Sequence, residues 1–298
     1  MGSQDNSRLA VLIDADNAQP TIVEGLVDTH CHLDVAEFDA DRERVIASAR
    51  AAGVTRIVVP AIHARGWPGL LRLCGRFDGL HPALGLHPVY LGQHCDGDLR
   101  ELERLLAEVA PVAVGEIGLD FFLEDLDRGR QRALFEAQLA LAREARLPVL
   151  IHARKSHEQV LEALKRIRVV GGVAHAFNGS LQQARRYLDL GFKQGFGGML
   201  TVARSRKLQA LARDLPREAI VLETDAPDMT VASHRGERNS PAHLPEVLQA
   251  LAEVRDESAD AVARKTTANA FEVLDLAAWP AEVADDDASG GAGPRSAG

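Results

Sequence analysis

Cysteine is scarce. Cys31, Cys74 and Cys95 are the three in 298 residues. An odd number without metal-type spacing argues against a disulfide framework. Aromatic residues make up 4% of the chain, and no stretch interleaves them with basic residues as a stacking platform for nucleic acid would. Positive charge is in deficit, with a formal net charge of −9. That balance argues against binding nucleic acid through bulk positive potential alone. An anionic substrate would need local arginines and lysines or bound cations. Long apolar runs are also missing, and nothing approaches a membrane span. The early apolar stretch Leu9–Ile13 is too short for a signal-peptide core and runs straight into Asp14. A globular protein of the cytoplasm is expected, with no membrane attachment and no obligatory protein partner evident.

What the chain does have is rhythm. From Leu26 onward, short apolar runs alternate with longer amphipathic ones. The candidate strands are LVDTHCH (26–32), RIVVPAI (56–62), HPALGLHP (81–88), VAVGEIGLD (112–120), LPVLIHAR (147–154), GGVAHAF (171–177), FKQGFGGM (192–199) and AIVLETDAP (219–227). Between them lie helical patterns. DRERVIASARAAG sets Val45, Ile46 and Ala49 on one face, with Gly53 as the C-terminal stop. RGRQRALFEAQLALAREARL aligns Leu134, Phe135, Gln138, Leu139 and Ala142. Eight strand–helix units in some 250 residues fit an α/β fold of the (β/α)8 TIM-barrel type, in preference to an open doubly wound sheet. The tail after Leu276, residues 277–298, is small, acidic and Gly-rich, and is expected to be disordered.

The residues of metal and acid–base chemistry cluster at the C-terminal ends of these runs. His30 and His32 close the first, Glu116 the fourth, His152 the fifth, His175 the sixth and Asp225 the eighth. In a parallel barrel those ends meet on one face, where such enzymes keep their active sites. Alternation puts His30 and His32 on one side and Cys31 on the other, where it packs. An HxH pair alone is a modest signal; with four further ligands at matching ends, coincidence explains it poorly. Four imidazoles and two carboxylates suit two divalent ions such as Zn, Mn or Ni, with Mg less comfortable because it favours oxygen ligands. Glu116, about halfway round the strand order from the HxH pair, is the natural bridge. Asp225 is expected to ligate metal and to orient or deprotonate water, and a metal-bound hydroxide would attack the substrate.

His87 of GLHP and Arg154, two residues beyond His152, share this face and are candidate substrate contacts, Arg154 as a phosphate clamp. Asp120 and Glu223 keep the parity of Glu116 and Asp225 and are expected to orient ligands. His63 could lie near the site. His81, His94 and His157 are expected at loops or helix starts. His234 and His243 flank a loop that could meet substrate.

The motifs DTHCHLD, ALGLHP, VGEIGLD, LPVLIHAR, HAFNGS and LETDAP stand in the order and spacing of the TatD family of metal-dependent deoxyribonucleases. The chain resembles that family from about Leu26 to Leu274. The resemblance implies a TIM barrel of the amidohydrolase-like superfamily that hydrolyses DNA phosphodiester bonds, typically as a 3′-to-5′ exonuclease. It implies one metal held by His30, His32, Glu116 and Asp225, and a second by Glu116, His152 and His175. After LETDAP the text departs from many members, reading DMTVASHRGERNSP, although Arg235, Gly236, Arg238, Asn239 and Pro241 of RGxRNxP remain. That departure bears on the substrate more than on the metals. The acidic balance favours single-stranded DNA ends over duplex. The rival readings are a cyclic-amide or ester hydrolase of similar barrel, many of which bridge their metals with a modified lysine where this chain has Glu116, and a binder without turnover.

A second acidic strand-like phrase precedes the barrel. LAVLIDADN, Leu9–Asn17, resembles the opening of NYN/PIN-like ribonuclease domains, but the rest of such a domain has no room before Asp28. Residues 1–25 are therefore expected to lie outside a barrel domain of residues 26–276.

Overall fold

The computed structural model describes residues 25–276. The expectations for the N-terminal extension and the acidic tail lie outside the described residues. Eight parallel strands follow one another in sequence order: β1 (Leu26–Asp28), β2 (Val54–Pro60), β3 (Leu80–Leu84), β4 (Ala113–Asp120), β5 (Val149–Arg154), β6 (Gly172–Ala174), β7 (Phe192–Phe196) and β8 (Ile220–Leu222). The last strand meets the first. Thr29 N–H donates to Leu222 O at 3.0 Å, and Asp225 N–H donates to His30 O at 2.8 Å. The barrel is therefore closed, as expected, and an open sheet is excluded.

Around it lie α1 (Arg42–Ala51), α2 (Trp67–Arg76), α3 (Asp96–Val109), α4 (Arg128–Ala145), α5 (His157–Arg166), α6 (Leu181–Leu188), α7 (Arg206–Asp214), α8 (Leu244–Arg255) and α9 (Ala259–Leu274). Their apolar stripes dictate how they lie. Val45, Ile46 and Ala49 are the buried face of α1, and Phe135, Gln138, Leu139 and Ala142 that of α4. Starts are fixed by side chains that accept from the free N–H groups of the first turn. Asp127 does this for α4, and the reciprocal Ser180–Gln183 pair does it for α6.

The core has two layers. The larger lies between strands and helices. The smaller fills the barrel, where Val27, Val58, Ala83, Leu150, Val173 and Val221 face inward, and α9 closes the lower end with Ala270 and Leu274. Lys193 on β7 also reaches Glu272 of α9 at 3.2 Å, but Glu272 is largely exposed. Such a pair contributes about 0–1 kcal/mol, whereas a fully buried Leu contributes roughly 1.5–3 kcal/mol. Burial, not pairing, holds α9.

The strands are shorter than the apolar runs. His30, His32, His87, His175 and Asp225 stand just past their strand ends, while Glu116 and His152 lie inside β4 and β5. One expectation is corrected here: His81 is at neither a loop nor a helix start but within β3, fully buried. The apolar run begins one residue earlier than its histidine, at Leu80, so the ladder with β2 carries His81 opposite Val58.

Candidate metal centre

On β5, Leu150 faces the lumen, and alternation points His152 the same way. The same rule carries Val173 to His175, and Val221 to Glu223. β4 breaks it. Ala113 faces inward and Ile117 lies in the outer layer, because the register with β5 shifts between Val114 and Ile117. That irregularity, and not simple alternation, turns Glu116 into the barrel mouth. Asp225 takes a left-handed backbone, φ 58°, which Asp tolerates better than most residues.

Glu116 is the hub. Its Oε2 lies 3.1 Å from His30 Nε2 and 3.5 Å from His32 Nε2. Its Oε1 lies 3.0 Å from His152 Nδ1 and 3.3 Å from His87 Nε2. Asp225 Oδ1 is 3.9 Å and 3.7 Å from the same two nitrogens of His30 and His32, and its Oδ2 is 3.5 Å from His175 Nε2. His30 and His175 stack with ring centres 3.6 Å apart. Three groups could each hold a metal ion: His30, His32 and Glu116; His30, His175 and Asp225; and His87, Glu116 and His152. All six expected ligands converge on this pocket. Here His175 gathers with His30 and Asp225, and His87 stands beside Glu116 and His152.

The far side of several ligands is also held. His32 Nδ1 meets Pro60 O at 3.1 Å, leaving Nε2 free to face Glu116. His152 Nε2 meets Asp120 Oδ2 at 3.0 Å. His175 Nδ1 lies 3.1 Å from Glu223 Oε1. Asp120 and Glu223 thus sit where the strand parity puts orienting carboxylates. Gly195 makes room for this: a Cβ there would fall 2.0 Å from Glu223 Oε2. His87 Nδ1 accepts from Val89 N–H at 3.1 Å, so its proton is on Nε2, aimed at Glu116. That leaves His87 a donor rather than a ligand.

The electrostatics favour cations. Burial alone would raise the Glu116 carboxyl, but the imidazoles of His87 and His30 and hydrogen bonds from His152 and His30 hold it well below its ordinary range. Asp225 is likewise disfavoured by burial, yet His175, His30 and His32 bring it down to about 2. Burial pulls His32 and His152 down, and their carboxylate partners outweigh it. Glu116 and Asp225 raise His32 to about 9; Asp120 and Glu116 raise His152 to about 9. Among the described residues, the ion-pair partners of Glu116 and Asp225 are all imidazoles. Buried carboxylates need compensating positive charge, and imidazole nitrogen with carboxylate oxygen donors in one shell suits divalent metals of borderline hardness.

Further residues, less evident in the sequence, support the site. Asp28 ties the seam, accepting from Thr224 Oγ1 at 2.6 Å, Thr224 N–H at 3.0 Å and His30 N–H at 3.2 Å. Burial pushes its carboxyl up to about 7 against those bonds. The signal is an acidic residue that ends the short apolar strand β1. Gln131 and Gln138 of α4 reach inward to both backbone groups of Asp120 and of Leu86, so one helix braces the ends of β3 and β4. Two of the RGxRNxP residues latch the loop. Arg238 forks onto Asp41 at 2.9 and 2.7 Å, and Asn239 donates to Thr224 O and Asp228 O at 2.8 and 2.7 Å.

Arg154 lines the cavity of about 570 Å³ over the centre. It is exposed and stacks 3.7 Å above the ring centre of Phe122. His63 lies in the adjoining cavity, its Nδ1 accepting from Gly66 N–H. His94 and His157 serve neighbours: His94 Nε2 bonds His87 O at 2.8 Å, and His157 starts α5. His234 and His243 stack on each other outside the cavity lining. Cys31 is buried against Ala226 O. No helix among the described residues is long and apolar enough to cross a membrane.

A closed barrel with imidazoles and carboxylates gathered at its C-terminal mouth defines a metal-dependent hydrolase class. The chain belongs to the TatD family: the model for the TatD-related DNases matches residues 27–275. Among relatives, an uncharacterized metal-dependent hydrolase of Escherichia coli, YjjV, is 40% identical over 253 residues, covering 84% of this chain and 98% of that protein. Its crystal structure superposes with a TM-score of 0.81, covering 85% of this chain and 98% of that one. The 3'-5' ssDNA/RNA exonuclease TatD of Klebsiella pneumoniae is 32% identical, covering 82% of this chain and 95% of its own length. An organophosphorus hydrolase of Deinococcus radiodurans, 14% identical with a TM-score of 0.58, shares the fold alone.

Proposed function

We propose that the chain hydrolyses DNA phosphodiester bonds, acting on single-stranded ends in the 3′-to-5′ direction. The observation that carries this reading is the two-sided Glu116 carboxylate, with nitrogen ligands facing each oxygen. His30, His32, Glu116 and Asp225 would hold one divalent ion, and Glu116 and His152 the second; His175, expected with that second ion, stands here beside His30 and Asp225. Such a pair supplies an activated water and neutralises the charge that builds on the phosphate. Zn, Mn and Ni fit the donor set better than Mg.

The chain's own residues do the rest. Glu116 keeps the two sides at a fixed spacing, because its oxygens are held by His30 and His152. Asp225, held by its N–H bond to His30 O, would ligate metal and orient or deprotonate the water. His87 donates through Nε2 toward Glu116 and steadies that carboxylate. Arg154, kept in place on Phe122, meets a phosphate of the incoming strand, where a guanidinium fork matches the phosphate oxygens. The relative named as a single-strand DNA and RNA exonuclease supports this substrate class, as does a negative chain that must grip through a few local cations.

Replacing Asp225 by Asn should abolish turnover of an end-labelled single-stranded oligomer by metal-loaded protein. Retained activity would sink the assignment of Asp225. Absence of metal-dependent nucleotide release by the wild type, over several metals, would return the protein to the binding-only reading.

A further inference from the structure

Five large apolar side chains stand exposed among the described residues: Tyr90, Phe122, Val170, Met199 and Met229. All but Val170 stand at the mouth of the barrel: Tyr90 and Met229 line the cavity over the centre, Met199 lines its neighbour, and Phe122 stacks on Arg154. Met199 and Met229 flank the entrance to a second cavity, of about 330 Å³, between the chain segments that follow β6, β7 and β8. Phe177, Phe196, Leu208 and Leu211 form its apolar walls. It adjoins the metal cavity, because Ala176, Asn178 and Met229 line both.

We propose that this side pocket receives a nucleobase adjacent to the scissile phosphodiester, with Lys207 and Arg204 holding the next phosphate. The inference rests on the nuclease reading and deepens it. The volume lies at the low end of small-ligand sites, roughly 300–1,000 Å³, which suits one nucleoside and not a duplex. Apolar walls favour a flat ring, since every base has a face that stacks without regard to sequence. Lys207 and Arg204 stand at the rim. The Lys207 ammonium rests 3.2 Å from Asn178 O, and among the described residues neither cation pairs with a carboxylate. In a chain of net charge −9, two unpaired cations beside an apolar slot match a base with its phosphate better than a purely apolar ligand.

The walls are preformed. His157 bridges Asn178 Oδ1 and the Tyr187 hydroxyl, each at 3.3 Å. The loop after β6 lies flat on the Phe177 ring, because a Cβ at Gly179 would come within 2.6 Å of it. A rigid slot needs little ordering when a base enters.

The test is calorimetric binding to the full-length, metal-loaded protein. The probes are thymidine 3′,5′-bisphosphate and the matching abasic deoxyribose 3,5-bisphosphate. The wild type should prefer the base-bearing probe by about ten-fold or more. Met199→Trp, which fills the entrance from a half-exposed position, should erase that preference. Lys207→Ala should weaken both probes alike and leave the preference intact. Equal affinity for the two probes in the wild type, or an undiminished preference in Met199→Trp, overturns the proposal. Oligomer digestion is scored separately. Base-dependent binding without digestion would defeat the nuclease reading and keep the pocket; digestion without base-dependent binding would do the reverse.

Discussion

At the scale of single residues, the imidazoles of the proposed centre are committed on one side and open on the other. His32 spends Nδ1 on Pro60 O, and His152 spends Nε2 on Asp120, so each turns its other nitrogen to Glu116. Glu116 and Asp225 hold the His32 ring up to about 9, and Asp120 and Glu116 hold His152 up to about 9. Without a cation they are therefore protonated below that pH, and an entering metal must displace the protons. Metal affinity should rise with pH up to about 9, by about ten-fold per unit for each proton displaced. Chelator competition across that range, paired with proton release measured in two buffers, checks it; affinity indifferent to pH would contradict the assignment of these rings as ligands. His30, His32, His152, His175 and Asp225 were legible from the sequence because each closes an apolar run. Asp28 was less so, since its role is visible only when the two ends of the barrel seam meet.

At the scale of elements, the site depends on how strand ends are tied together. β1 and β8 are stitched by Asp28 and Thr224, and the loop after β8 is latched to the start of α1 by Arg238 on Asp41. The hydrogen bonds from Arg238 and Arg44 lower the Asp41 carboxyl from 3.8 to about 2. A depressed carboxyl stabilises the fold above its unfolded value and ceases to do so as pH falls through the folded one. The wild type should therefore lose melting temperature between about pH 4 and about pH 2 more steeply than Asp41→Asn. Parallel melting curves across that window would show that the latch carries no stability. Alternation predicted the facing of His152, which lies within β5, whereas Asp225 stands beyond β8 in a left-handed conformation. It could not reveal why Glu116 faces inward, because that rests on the β4 register shift, a property of the pair β4–β5 and not of either sequence alone. The apolar runs also overstated strand length: a run reports burial, and the chain stays buried after the ladder has ended.

At the scale of the molecule, the barrel from Leu26 to α9 contains every residue that the proposed chemistry needs. The phrase at Leu9–Asn17 is spare in that account. Removing residues 1–25 should leave metal content and melting temperature unchanged, measured by elemental analysis and thermal denaturation; a trimmed chain that no longer binds metal would refute this. The net charge of −9 places the burden of anion binding on the metals and on a few cations at the mouth, so activity should not require a basic surface. The proposed chemistry therefore turns on Glu116, whose two oxygens face His30 and His32 on one side and His152 on the other. Elemental analysis of purified wild type and Glu116→Ala, followed by digestion of end-labelled single-stranded DNA, puts that claim to the test. The account predicts bound divalent metal and stepwise nucleotide release in the wild type, and loss of both in the variant. Full metal content and undiminished digestion in Glu116→Ala would contradict it.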